Sequence, residues 1–269
     1  MSCDRFFKLR SNLKVVIDND VPGDKRDIDK FWRVRPFMNH ILNGCHLQAR
    51  PQCVSIDEQM IPFTGACPFR QYVPSKPNPV GIKNFLLASV DGIVLDFEVY
   101  QGAKTLSSQI QDSEGLGLGA LVIKCLSETL PADTKVYCDR FFMTLPDVDH
   151  MLKKRVYLTW TVMKNRVPKA MLKLPSDPNL KRQGRGASAT VTRADEQLCV
   201  VKWYDNKPIV MLSSAQLCVV KWYDNKPIVM LSSEQSEDTC QRWSKKDKKI
   251  CDCYTAKHCA RVQHQDGWG

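Results

Sequence analysis

Two acidic residues stand where acids are unexpected. Asp57 lies inside "SIDEQMIPF" (55–63), a stretch whose Ile56, Met60 and Phe63 read as the core face of a strand. Asp139 stands in "VYCDRFF", where it ends another short strand-like run. Asp is disfavoured in strands because its short side chain competes for backbone hydrogen bonds. Carboxylates held at strand ends can serve as hard oxygen ligands for a divalent cation, with Mg²⁺ the natural choice for carboxylate and water oxygens. A bridging cation also relieves the repulsion between two nearby carboxylates. The bland alternative is that each Asp forms a turn or caps the next element.

The elements around these acids must therefore place two strand ends side by side. Residues 1–50 read as helical, with Phe6, Leu9, Leu13 and Val16 at helical spacing, a break at "DVPGDKRD", and a second helix through "IDKFWRVRPFMNHILNGC" that Pro36 kinks and Gly44 ends. A strand follows at 52–63, then a Pro- and Gly-rich loop. "IKNFLLASV" and "IVLDFEVYQG" flank Asp91-Gly92, a strong hairpin signal. A helix is expected from about Leu116 to Leu130, then a strand "TKVYCD", a helix "LPDVDHMLKKR" and a strand "VYLTWTVM". The "GLGLG" at the first helix is a poor match to a phosphate-binding loop. Three strands, then helix, strand, helix, strand, is the element order of an α/β ribonuclease-H-like mixed sheet with flanking helices.

Charge is unevenly spread along a chain of 269 residues with net charge +10. Residues 51–150 hold seven basic and twelve acidic side chains, while 151–210 hold thirteen and four. A carboxylate-rich middle favours divalent cations, and basic flanks favour polyanions. Basic Arg70, Lys76 and Lys83 stand around the first acid, and Lys153, Lys154, Arg155, Lys164 and Arg166 after the second. A solvated charged face explains the same residues equally well. No run is long enough to span a bilayer and no signal peptide is visible, so a soluble intracellular protein without a membrane partner is expected. The twelve cysteines then read mostly as buried thiols. Cys251, Cys253, His258, Cys259 and His264 fit the paired spacing of a zinc site poorly, and no zinc is assigned.

One feature stands apart. "QLCVVKWYDNKPIVMLSS" occurs at 197–214 and again, letter for letter, at 216–233. Each copy reads as strand, turn, strand. Two identical units point to a local duplication or an error in the gene model rather than to a repeat architecture. The second copy must find an edge to pair with or stay loosely attached.

The first block, "SIDEQMIPFTGACPFRQYVPSKPNPVGIK", closely resembles the first catalytic block of piggyBac-type transposases and their domesticated derivatives. "VYCDRFFMTLPDVDHML" resembles the second block, "DKFWRVRPF" the helix before the catalytic domain, and "VVKWYDNKPIVMLSS" the inserted β region. The resemblance covers roughly residues 1–250. It implies an N-terminal helical segment (1–50), a ribonuclease-H-like core (51–165), an inserted β region carrying the duplicated hairpin (166–238) and a divergent, disordered tail (239–269). It also implies a nuclear, Mg²⁺-dependent DNA strand transferase acting at TTAA sites, with DNA as partner and Arg70, Lys76, Lys83, Lys153, Lys154, Lys164 and Arg166 as phosphate contacts near the active site. Asp57 matches the first catalytic, metal-binding aspartate and Asp139 the second. The third is due in a Tyr-Asn-x-x-Met-Gly-Gly-Val-Asp motif, where this chain reads "CYTAKHCARVQHQDGWG". Asp266 falls near the position, but its neighbours do not match. With two aspartates, Mg²⁺ is expected to bind weakly and catalysis to be absent or very weak. The alternatives are an active strand transferase with Asp266 or Asp252 as third ligand, a non-catalytic interaction module, or a gene-model fragment.

Overall fold

The computed structural model describes residues 2–253 except 75, 103–105, 107–109, 111–115, 143–144, 196, 205–206, 215–217, 224–226, 233–239 and 245–248, with side chains described as far as Ser214, those of 145–147 apart. The chain divides into two compact units, Met1–Pro131 and Ala132–Gly269.

The first unit opens with three helices, α1 (Cys3–Asn12), α2 (Gly23–Ile28) and α3 (Arg35–His46). The Ser2 hydroxyl caps α1 by accepting from the Arg5 N–H. The expected continuation to Ile17 does not occur. The helix stops before the β-branched run Val15-Val16-Ile17, which disfavours helix. The "DVPGDKRD" break instead contains α2, entered directly after Pro22. Pro36 does not kink a long helix but stands in the first turn of α3, where its missing N–H is harmless. Gly44 lies within α3, not at its end. Neither α1 nor α3 buries a residue, and Phe6, Phe7, Leu9, Phe37 and Ile41 are exposed.

Polar contacts fasten α3 and the segment before it instead. Arg35 reaches Asp29 through two hydrogen bonds (2.6 and 2.8 Å). The Gln101 side-chain oxygen accepts from the Lys30 N–H at 2.8 Å. His46 Nε2 lies 3.0 Å from Asp96 Oδ2.

The sheet of this unit contains β1 (Cys53–Pro62), β2 (Gln71–Tyr72), β3 (Val80–Ser89) and β4 (Val94–Val99). β1, β2 and β4 all pair antiparallel with β3. The β3–β4 turn is the expected Asp91-Gly92 hairpin, with Gly92 at φ +81°. Gly81 is required for a different reason. A Cβ there would lie 2.1 Å from the Ile61 carbonyl oxygen on β1. Val54, Ile56, Phe85, Leu87 and Leu95 form the core with Leu121, Val122, Ile123 and Leu126 of α4 (Leu118–Leu126), a shorter helix than expected.

The second unit holds β5 (Lys135–Cys138), α5 (Leu145–Lys153), β6 (Tyr157–Thr161), α6 (Pro168–Lys173), α7 (Asp177–Arg182), β7 (Ser188–Thr192), β8 (Cys199–Tyr204) and β9 (Pro208–Ser213). β5 and β6 pair parallel across the α5 crossover, as the element order requires. β6 then pairs antiparallel with β9, β9 with β8, and β8 with β7. Val136, Leu158, Trp160, Val200, Val201 and Leu212 are fully buried.

The second hairpin copy forms β10 (Cys218–Tyr223) and β11 (Pro227–Ser232), a two-stranded sheet. β12 (Cys240–Ser244) and β13 (Lys249–Cys253) pair in the region where the sequence predicts no ordered element. Asp266 lies outside the described residues, as do the side chains of Asp252, Cys251 and Cys253 and the whole of His258, Cys259 and His264.

Candidate active-site carboxylates and their family

β1 alternates strictly. Val54, Ile56 and Met60 are buried, while Ser55, Asp57 and Gln59 are exposed. Asp57 therefore sits on the wet side of its strand, and this resolves its conflict with strand propensity. Its backbone is fixed by nine consecutive partners on β3, with Asp57 opposite Leu86. Phe63, just past the strand end, is 39% exposed and outside the core that the sequence predicts for it.

Asp57 Oδ1 accepts the Glu58 N–H at 2.8 Å. No described residue partners its Oδ2. Glu58, on the opposite side of the strand, pairs with Lys76 Nζ at 3.1 Å. Lys76 therefore neutralises the neighbouring acid, and its position among the phosphate contacts read from sequence must be weighed against that bond.

Asp139 follows β5 directly and is also exposed. Its Oδ1 accepts from the Arg140 N–H at 2.7 Å and from the Thr161 hydroxyl at 2.6 Å. The Phe142 N–H reaches the Asp139 carbonyl at 3.2 Å and tightens the turn. Oδ2 again has no partner among the described residues. Thr161 was not singled out by sequence reading. The parallel register that sets Cys138 against Trp160 carries the next residue pair, Asp139 and Thr161, to the same level.

Each carboxylate thus has one oxygen immobilised by local donors and one without a partner among the described residues. An oxygen held in this way on regular backbone suits a hard cation. Among the described residues no group of three or more His, Cys, Asp or Glu side chains is arranged to hold a metal ion.

The basic candidates occupy varied settings. Arg70 is exposed and donates to the Thr64 and Gly65 carbonyls at 2.8 and 3.0 Å. Lys83 is half-buried, 5.9 Å above the Phe85 ring. Lys153 and Lys154 are exposed at the end of α5. Arg155 pairs with Asp133 at 2.5 Å. Lys164 pairs with Asp177. Arg166 is exposed and reaches the Arg140 carbonyl at 3.4 Å, within the turn that carries Asp139.

Comparison with known proteins gives the family. The Transposase IS4 family profile matches residues 1–264. The chain belongs to that family. It is 28% identical over 216 residues to the human PiggyBac transposable element-derived protein 3, covering 80% of this chain and 35% of that protein. It is 28% identical, again over 216 residues, to the human chimeric ERCC6-PGBD3 protein, of which it covers 20%. A cryo-EM structure of the piggyBac transposase synaptic complex with hairpin DNA superposes with a TM-score of 0.65 at 26% identity, over 80% of this chain and 44% of that one. The chain is a piggyBac-type, transposase-derived protein with a ribonuclease-H-like DDE fold. It spans about a third of the length of the first of those human relatives. No helix among the described residues is long and apolar enough to cross a membrane.

Proposed function

We propose that this piggyBac-type chain is a DNA-binding transposase core in the nucleus that presents Asp57 and Asp139 as cation ligands and does not support efficient strand transfer. The observation that carries the reading is the shared state of the two carboxylates: each is exposed, fixed through Oδ1, and without an Oδ2 partner among the described residues. The donor set is hard oxygen and fits Mg²⁺. When bound, Mg²⁺ activates an attacking oxygen and stabilises a leaving oxygen at phosphorus.

The protein's own part is positional. The Glu58 N–H turns Asp57, and the Arg140 N–H with the Thr161 hydroxyl turns Asp139. Exposed Lys153, Lys154 and Arg166, with Arg70 in the first unit, are suited to backbone phosphates. Lys76, Lys83 and Lys164 complete the proposed phosphate contacts. Residues 234–269 contain no match to the motif that supplies the third acid in piggyBac-type transposases. Loss of a charged ligand removes most of the electrostatic contribution to the reaction.

The test uses purified protein and a duplex containing TTAA. Binding that weakens steeply with salt is expected, with nicking at background in Mg²⁺. A flat salt response removes DNA as the partner. Nicking abolished by Asp57→Asn establishes an active enzyme instead.

A further inference from the structure

The two identical hairpins have the same register. In the first, Cys199 faces Ser213, Val201 faces Met211 and Tyr204 faces Pro208. In the second, Cys218 faces Ser232, Val220 faces Met230 and Tyr223 faces Pro227. Every pair is displaced by the repeat length of 19 residues. The first hairpin occupies a defined slot in its sheet, with β9 against β6 and β8 against β7. The second is a two-stranded sheet of its own.

The following contacts of the slot, all among the described residues, are made by side chains that occur in both copies. Val200, Val201 and Leu212 fill the core. The fully buried Lys202 donates to Asp177 Oδ1 at 2.7 Å and to the Pro175 carbonyl at 2.5 Å. The Ser213 hydroxyl meets the Thr159 hydroxyl at 2.8 Å, and the Ser214 hydroxyl accepts the Leu158 N–H at 2.7 Å. The second copy repeats each of these side chains as Val219, Val220, Leu231, Lys221, Ser232 and Ser233. None of these core or polar contacts can tell the copies apart.

We propose that residues 216–233 are an alternative occupant of the strand slot between β6 and β7 in the same chain, so that the two hairpins exchange. The two states differ in the connection that enters the slot from β7. With the first copy in place, residues 193–198 join β7 to β8. Arg193 N–H then reaches the Leu198 carbonyl at 2.7 Å, and the Gln197 N–H reaches Asp195 Oδ1 at 3.1 Å. With the second copy in place, residues 193–217 form the connection and that turn is lost. Loop closure varies slowly with length, so a loop about four times longer disfavours exchange by only about tenfold. The first copy is the major occupant and the second a standing reserve.

The test is a cycle of four proteins: the full chain and a version lacking residues 215–233, each with and without Leu212→Asp. The substitution places a carboxylate at a fully buried leucine of the first copy. In the shortened protein it has no substitute, and the unfolding constant of the second unit is expected to rise a thousandfold or more. In the full chain the same substitution is expected to raise it only about tenfold, the loop factor alone. Leu231→Asp alone should change nothing, and Leu212→Asp with Leu231→Asp should behave like the shortened variant. Equal destabilisation by Leu212→Asp in both chain lengths overturns the exchange. Rescue that occurs only in a dimer, seen by size-exclusion chromatography with light scattering, overturns exchange within one chain.

Discussion

The Thr161 hydroxyl donates to Asp139 Oδ1 at 2.6 Å, from the next strand over. This bond, with the Arg140 N–H, occupies one carboxylate oxygen and fixes the direction of the other. Its consequence is a ligand oriented before any cation arrives, with less ordering left for binding to do.

Removing that bond should loosen the ligand without removing it. Thr161→Val is expected to weaken Mg²⁺ binding by roughly tenfold or more, as measured by calorimetric titration, because supporting hydrogen bonds to ligands typically carry that much. Thr161→Ser should restore it. A fold defect would instead lower the thermal midpoint of both variants.

Glu98 gives the first unit a pH dependence near neutrality. Burial pushes its carboxyl up to about 7, against the pull of the nearby Arg35 guanidinium and with help from Asp96 and Asp29. The folded value lies above the unfolded one, so the native state holds the extra proton. Stability is greatest below the unfolded value of 4.5, falls as pH rises through 7, and then levels. The expected loss is on the order of 2–3 kcal/mol. Urea denaturation between pH 5 and 8 should show it, and Glu98→Gln should flatten the profile.

Asp177 produces the opposite trend in the second unit. Hydrogen bonds from Lys164 and Lys202 hold its carboxyl below the usual carboxylate range. Its contribution is present above the unfolded value of 3.8 and lost as pH falls through the lower folded value. Asp177→Ala strands the buried Lys202 with the Pro175 carbonyl alone, and should cost about 3–5 kcal/mol in denaturant melts.

Gly81 tests the seating of β1 on β3. Gly81→Ala forces a methyl group into the Ile61 carbonyl, and the strand pair must part or shift. A destabilisation of about 1–3 kcal/mol is expected, because overpacking is relieved by backbone movement. The measurement is the urea midpoint. An unchanged midpoint would show that the two strands are not this close.

Much of this fold was legible in the residues. The alternation through "SIDEQMIPF", the Asp91-Gly92 turn and the helical crossover before β6 all follow from local rules that the structure obeys. The N-terminal helices were less legible. Their boundaries depend on Pro36 and Gly44, which sequence rules treat as breakers but which here stand inside one helix. Their docking depends on Asp29, Arg35, His46 and Asp96, charged residues that a search for apolar periodicity passes over. Asp57 and Asp139 were visible as strand acids, whereas Thr161 became visible only once the β5–β6 register was known.

The most direct test of the central claim is a Mg²⁺ titration of the full chain beside Asp57→Asn and Asp139→Asn. Weak Mg²⁺ binding in the wild-type protein, reduced by each substitution, is the predicted result. Binding that survives both substitutions would contradict the assignment of these carboxylates as cation ligands.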